Sequence, residues 1–344
     1  MLPTDVDTWF GGGAAIVTSV ERDSSGLDAQ SYGAFAQTEL DFRLESGQVY
    51  FRLDFDLQTV ASGPGNTTAG YNTYPLWAEL DQSVKFGPPE WAMLQLNLDP
   101  IKLRLGIMGH AIGFEDLESW NTYFPTKSTS YTLLPGRMAG VETAFTLGSG
   151  YDLFAFAGCD LDWGGCIAWD DDGDGVNDHE SGDGLLGGFG VTTLQDYYGT
   201  WSGVALYPTI NYYVAGIAVE FYPLDAFSIV VDGDTGLVGL EDEEGELKHN
   251  FFLTGGLTVN VLPSEVVHPM FRVNGLVDPD DAAWGGSFPT LSASAGLSTS
   301  PFTGFKISVE GKAARYGDDI VPGLYTSISL ARPEPPPYSA KYPE

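Results

Sequence analysis

Residues 48–58 read QVYFRLDFDLQ, and the alternation in that stretch decides the fold. Val49, Phe51, Leu53, Phe55 and Leu57 fall on one side of an extended strand; Tyr50, Arg52, Asp54, Asp56 and Gln58 fall on the other. Side chains alternate faces along a strand, so one face is apolar and the opposite one mostly charged. The preceding segment repeats the pattern, with Leu40, Phe42 and Leu44 set against Glu39, Asp41 and Arg43. Between them, Glu45-Ser46-Gly47-Gln48 is hairpin chemistry. A tight loop at Ser46-Gly47 would pair Leu40 with Leu53, Phe42 with Phe51 and Leu44 with Val49 on the apolar face. It would pair Asp41 with Arg52 on the charged one. A soluble sandwich buries such an apolar face, whereas a membrane barrel turns it to lipid and keeps the charged face for a watery lumen.

The rest of the chain favours the barrel. It has 344 residues, with 44 glycines, 13% aromatics and only 15 Lys+Arg. No segment approaches the roughly 18 consecutive apolar residues of a transmembrane helix. No amphipathic helix of ordinary length stands out either, so the fold is expected to be all-β. The net charge of −32 excludes nucleic acid as a partner, because phosphate binding needs basic patches. A chain this acidic attracts cations, binds calcium or keeps itself soluble, as halophilic proteins do.

Sixteen candidate strands recur between Gly, Pro, Asn and Asp punctuation, at 8–20, 31–44, 48–59, 74–86, 92–108, 134–147, 151–158 and 185–195, then 200–207, 211–222, 227–232, 251–262, 270–277, 290–298, 305–316 and 324–330. Fourteen is the alternative if 185–195 and 200–207 are not strands. The connections alternate in length. Residues 46–47, 87–90, 148–150, 223–226, 263–268 and 300–304 are short; 61–72, 109–133, 159–184, 234–250 and 278–289 are long and often acidic. Short periplasmic turns on one rim and long extracellular loops on the other describe a single transmembrane antiparallel barrel of a Gram-negative outer membrane. Aromatic strand ends (Trp9, Phe10, Tyr74, Trp77, Tyr207, Tyr212, Tyr213, Phe221, Tyr222, Tyr325) fit girdles at the two interfaces. The barrel is expected to fill residues 1–332 and to leave 333–344 as a Pro-rich tail. The N-terminus, MLPTDVDTWF, has neither a basic nor an apolar signal region, so an exported chain would be in its mature form.

The sharpest local motif is Asp170–Asp178, DDDGDGVND. Asp170, Asp172 and Asp174 alternate, Gly175 allows a turn and Asp178 closes the run. Calcium takes about six to eight hard oxygens, which alternate carboxylates on a tight loop supply, with Val176 adding its carbonyl. The spacing resembles the calcium loops of thrombospondin type-3 repeats. An EF-hand proper is excluded, because Ser181 stands where its closing Glu belongs and no helices flank it. The plain alternative is a solvated acidic loop tip. Just upstream, Cys159 and Cys166 are placed to clamp the same loop by a disulfide in an oxidising compartment; two free thiols are the alternative. The calcium would be structural. The four histidines (His110, His179, His249, His268) show no catalytic spacing, so an enzyme is not expected.

Lumen-facing charge carries the functional expectation. Asp41, Arg43, Arg52, Asp54 and Asp56 line one hairpin, and Arg104, Arg137, Arg272, Glu142, Glu220 and Glu310 sit on other strands. Opposed charges across a narrow lumen orient polar solutes and select ions, although such groups also simply pair with each other. The segment 101–145 resembles the OmpL-like outer-membrane porin family, through KLRLGIM (102–108), IGFEDLES (112–119), Trp120-Asn121, STSY (128–131) and LLPGRMAGVE (133–142). The resemblance implies a passive diffusion channel with a constricting loop at 109–133. Glu115, Asp116 and Glu118 would stand near the constriction, and Arg104 and Arg137 would face it from the wall. Small hydrophilic solutes, with a bias toward cations, are the expected cargo. The competing expectation is a plugged barrel whose calcium-braced loops bind a surface partner or lipopolysaccharide. The oligomeric state is open.

Overall fold

The structure is a computed structural model that describes residues 7–22, 30–62, 78–80, 84–86, 91–109, 112, 124–126, 128–129, 133–134, 136–148, 150–161, 184–194, 198–209, 211–224, 227–241, 247–261, 267–279, 288–331, 338–339 and 342–343. Its strands, in chain order, are β1 (Asp7–Arg22), β2 (Gln30–Ser46), β3 (Val49–Ser62), β4 (Ala78–Leu80), β5 (Val84–Phe86), β6 (Trp91–Leu98), β7 (Ile101–Gly109), β8 (Arg137–Thr146), β9 (Tyr151–Asp160) and β10 (Leu185–Leu194). They continue with β11 (Tyr198–Tyr207), β12 (Tyr212–Leu224), β13 (Phe227–Glu241), β14 (Leu247–Val261), β15 (Val267–Val277), β16 (Leu291–Phe302), β17 (Phe305–Tyr316) and β18 (Asp319–Ala331). A two-residue pair, β19 (Tyr338–Ser339) with β20 (Tyr342–Pro343), lies in the tail.

β1–β3 and β6–β18 form a closed antiparallel barrel of sixteen strands, sealed where β1 pairs with both β2 and β18. Closure pairs each of the sixteen described staves on both sides, which is the condition for β-structure in lipid. The outer face is apolar. Phe10 is 61% exposed and Leu40 67%, and Ile16, Phe55, Phe189, Phe271 and Ile328 stand out in the same way. Their neighbours in sequence, such as Gln37, Glu39, Asp41, Arg52 and Arg104, point inward and are buried. An exposed apolar belt around a polar interior is the inverse of a soluble protein and fits a bilayer. Phe10, Phe42 and Phe51 pack together on the belt, with centroids 4.8 and 6.3 Å apart.

The strand count matches the expectation through two errors that cancel. Residues 92–108 are not one strand but two, β6 and β7, joined at Asp99-Pro100 so that Leu98 pairs with Ile101. The alternation runs on through the turn with its phase flipped, and only the Asp-Pro pair marks it. Within 74–86, the described part is the short β4–β5 hairpin, where β5 pairs with the far end of β3 at Leu57–Thr59 and neither strand is a barrel stave. The 234–250 connection is mostly strand, because β13 runs to Glu241 and β14 begins at Leu247. Its glycines lower β-propensity and disguised the alternation.

The β2–β3 register is also two residues off. The turn is Gly47-Gln48, so Leu40 pairs with Phe55, Phe42 with Leu53 and Ser46 with Val49. Gly47 has φ +60°, the first central position of a hairpin turn that selects glycine. A shift of two preserves the faces but changes the partners: Asp41 meets Asp54 rather than Arg52, and Arg43 meets Arg52.

Several aromatics expected in the girdles are elsewhere. Tyr207, Tyr212 and Tyr325 are buried inside, and Trp9 lies under the Arg43 guanidinium at 4.7 Å. Period-two parity decides the face, and these four have the inward parity. The short-turn rim carries an outward girdle of its own, with Tyr151 and Tyr198 hydroxyls 2.8 Å apart and Phe302 stacked on Phe305 at 4.8 Å. Tyr74, Trp77 and the Tyr222 side chain lie outside the described residues.

Candidate channel constriction

The wall is uneven. β6 to β11 have eight to ten residues, whereas β1 to β3 have fourteen to seventeen. The connection between β7 and β8, residues 110–136, leaves from the low side. Of its described residues, Ile112, Phe124, Pro125, Thr126, Ser128, Thr129, Leu133 and Leu134 are buried.

Near its two ends, Ile112 and Leu134 rest on the wall of β11 and β12. Ile112 Cγ1 comes within 2.8 Å of where a Cβ on Gly203 would stand, and Ile112 and Leu134 methyls within 3.0 Å of one on Gly216. Glycine there is required by close approach, since any larger side chain would occupy the loop's seat. Tyr212 on β12 donates its hydroxyl to the Leu133 carbonyl at 2.9 Å. Tyr212 is held between Tyr207, 5.5 Å away, and Phe252, 6.2 Å away. Tyr207 in turn donates to Asp160 at the end of β9. Ile112, Leu133 and Leu134 join Met93, Met108, Met138, Phe154, Phe156, Leu186 and Val214 in a single apolar cluster inside the barrel. Burying each large loop side chain stabilises the docked loop by about 1.5–3 kcal/mol.

The middle of the loop reaches the far wall. Glu310 on β17 accepts hydrogen bonds from the Thr126 amide at 3.0 Å and from its hydroxyl at 2.8 Å. Arg272 on β15 donates to the Thr126 carbonyl at 3.0 Å and to Glu310 at 3.3 Å. Its guanidinium covers the Phe124 ring at 4.4 Å. All four residues are buried. β15 and β17 stand about half-way round the sheet from β7 and β8, so the loop crosses the lumen rather than capping it.

The crossing separates two parts of the interior wall. On the β6–β14 side the apolar cluster packs behind the loop, among inward polar groups such as Gln95, Arg104, Glu142, Glu220, Asp234 and Asn260. On the side of β16–β18 and β1–β3 the inward residues include Ser292, Ser294, Ser298, Ser308, Ser327 and Ser329, then Gln37, Glu39, Asp41 and Asp54, beside the apolar Ala15, Val17, Ala314 and Tyr325.

The structure places the expected site residues as follows. Arg104 is buried in the wall, donating to Gln95 at 2.7 Å and to Glu142 at 2.6 Å. Arg137 is buried at the start of β8. Arg52 pairs with Asp54 on its own strand and lies 4.4 Å over Trp91. Glu115, Asp116, Glu118, the whole of Asp170–Asp178 including Val176, Cys166 and the Asp56 side chain lie outside the described residues. Cys159 is near the end of β9. Sequence reasoning marked Arg272 and Glu310 as lumen charges but not as the anchor of the loop, and it missed Thr126, Tyr212, Gly203 and Gly216. No local signal reveals a contact made across a barrel.

The whole barrel superposes on solved porins. The outer membrane channel DcaP of Acinetobacter baumannii is 13% identical with a TM-score of 0.59, the match covering 94% of this chain and 97% of that one. An anion-selective porin from Comamonas acidovorans is 10% identical with a TM-score of 0.62, covering 95% and 100%. OmpF of Salmonella typhi, solved with daunomycin, is 9% identical with a TM-score of 0.61, covering 95% and 97%. At these identities the likeness is one of fold. No protein-family model matches the sequence and no curated protein matches it, so the OmpL-like likeness of 101–145 stays a pattern in that segment.

Proposed function

We propose that this barrel is an outer-membrane channel for passive diffusion of small hydrophilic solutes, biased toward cations. One observation carries the reading: the 110–136 loop crosses the lumen to Glu310 and Arg272 and leaves a polar wall opposite. A loop held inside a barrel narrows it, and the polar groups that line the wall offer a path to water and ions. The likeness to porins supports the same role in a Gram-negative outer membrane. The sign of selectivity does not follow from the fold, since one similar barrel is anion-selective. It is argued from the charge of −32, the acidic loops and the Glu115, Asp116 and Glu118 carboxylates on the crossing loop.

The surface loops complete the proposal. Asp170, Asp172, Asp174, Asp178 and the Val176 carbonyl would hold a structural calcium ion, and Cys159 would pair with Cys166. No cysteine among the described residues is free, which supports the clamp. Divalent ions at such loops would also bridge to lipopolysaccharide phosphates.

A second reading is favoured by the apolar cluster, which fills part of the interior: a plugged barrel whose loops bind a partner. Single-channel recording in a planar bilayer under a KCl gradient separates the two. Discrete steps with a cation-selective reversal potential are expected. Stable insertion without steps would overturn the channel and leave the plug.

A further inference from the structure

We propose that Glu39, Asp41 and Asp54 form a calcium site in the wall of the lumen, separate from the acidic surface loop. The proposal concerns what the lumen binds. Its role in conductance rests on the channel reading, whereas the binding itself does not.

The observation begins with the register. Asp41 and Asp54 are directly opposite on β2 and β3, and Glu39 lies two residues along on the same inward face. Like charges opposite each other on a sheet destabilise it unless something of opposite charge joins them. The three carboxylates present oxygens that all lie within 4.8 Å of one another. All three residues are buried, with Asp54 at 0% and Asp41 at 8% exposed.

Two arginines stand beside the cluster, opposite one another on β2 and β3. Arg52 is bonded to Asp54 and stacked over Trp91. Arg43 is stacked over Trp9. Asp41, more than nine-tenths buried, has an Oδ1 that accepts no hydrogen bond, and neither does Asp54 Oδ1. A buried ionised oxygen without a donor is costly, and a cation is the partner that satisfies several such oxygens at once. Asp41 is also the most exposed of the three, which gives an ion its way in.

The spacing admits calcium. Calcium bonds oxygen at about 2.3–2.6 Å, so two of its ligands lie at most about 4.6–5.2 Å apart. Magnesium, at about 2.0–2.1 Å, allows no more than about 4.2 Å. Oxygens that all lie within 4.8 Å of one another fall inside a calcium shell, and magnesium, which demands stricter geometry and gives up its water reluctantly, is the less favoured ion. Three carboxylates leave several positions for water, as flexible calcium shells permit and as a site in a wet lumen supplies.

The test is calorimetric titration of Ca2+ and, separately, Mg2+ into the folded, chelator-treated barrel in detergent. Asp170→Asn, Asp172→Asn and Asp174→Asn are included to silence the surface loop. One Ca2+ is expected to remain, with Mg2+ at least tenfold weaker. Asp41→Asn, which keeps the shape and removes the charge, is expected to weaken Ca2+ at least tenfold; Asp41→Glu is expected to recover part of it. Strand content by circular dichroism verifies that each variant is folded. Absence of Ca2+ binding in the folded loop-silenced protein, or equal binding by Asp41→Asn, overturns the site. In bilayers, millimolar Ca2+ should reduce K+ current through the parent and not through Asp41→Asn. A barrel that binds Ca2+ yet passes no current would overturn the channel and leave the site standing.

Discussion

Glu310 is the residue on which the loop's position turns. Its carboxylate is fully buried and receives Thr126 and Arg272 together. Truncation to alanine would strand the Arg272 guanidinium in the interior, and breaking such a buried pair costs about 3–5 kcal/mol. Glu310→Ala is therefore expected to lower the denaturant midpoint of the barrel in lipid vesicles. Replacing both partners, as in Arg272→Met with Glu310→Leu, should cost much less than the sum of the single changes, because no unpaired charge remains. The double variant separates stability from position. It should fold well and still lose the far anchor, so its channel current should be noisier than the parent's. An additive cycle would show that the pair is not coupled and that the loop is held elsewhere. A Thr126→Val variant is the milder probe, since it removes only the hydroxyl and retains the amide bond to Glu310. The hydroxyl donates to Glu310 and accepts from Arg272, so two hydrogen bonds to charged groups are lost, each worth about 1.5–3 kcal/mol.

Among the elements, β11 and β12 seat the near half of the loop through absences. Gly203 and Gly216 leave the hollow that Ile112 and Leu134 fill. Gly216→Leu is expected to push both side chains, and the Asp234 carboxylate beside them, off the wall, while the glycine's pairing with Gly203 is in ordinary register. The loop would then rest only on its Thr126 anchor, and unitary conductance should rise. Unchanged conductance would mean that the seat does not set the aperture. The same elements show what a sequence can disclose. The faces of β2 and β3 were readable at 48–58, because a period of two survives an error of two in register. Partners were not: Asp41 meets Asp54 rather than Arg52 because the turn is Gly47-Gln48. The turn at Asp99-Pro100 was hidden by leucines that alternate on both sides of it. The Thr126 contact with β15 and β17 was beyond reach, since it joins residues 146 and 184 positions apart with no pattern between them.

For the whole molecule, the distribution of charge matters more than its sum. The chain has 47 acidic and 15 basic residues, so 47 − 15 leaves the excess of 32. Four of the scarce basic groups are engaged by inward carboxylates: Arg52 by Asp54, Lys102 by Asp152, Arg104 by Glu142 and Arg272 by Glu310. Each of those pairs is neutral and contributes little field along the path. The excess therefore resides outside them, and the run at 170–183 alone holds seven carboxylates, Asp170, Asp171, Asp172, Asp174, Asp178, Glu180 and Asp183. Charge at a mouth acts over a Debye length, about 10 Å at 0.1 M salt and about 3 Å at 1 M. Charge in a constriction acts at contact and is screened far less. The two sources are thus separable by ionic strength. Cation selectivity from the mouth should fall steeply between 0.1 M and 1 M KCl, and what persists at 1 M belongs to the constriction. Glu115→Gln, Asp116→Asn and Glu118→Gln together should remove most of that persistent part and little of the rest. If the triple variant keeps its high-salt selectivity, those three carboxylates do not face the path. Selectivity would then belong to the Glu39, Asp41 and Asp54 wall, whose neutralisation should abolish it.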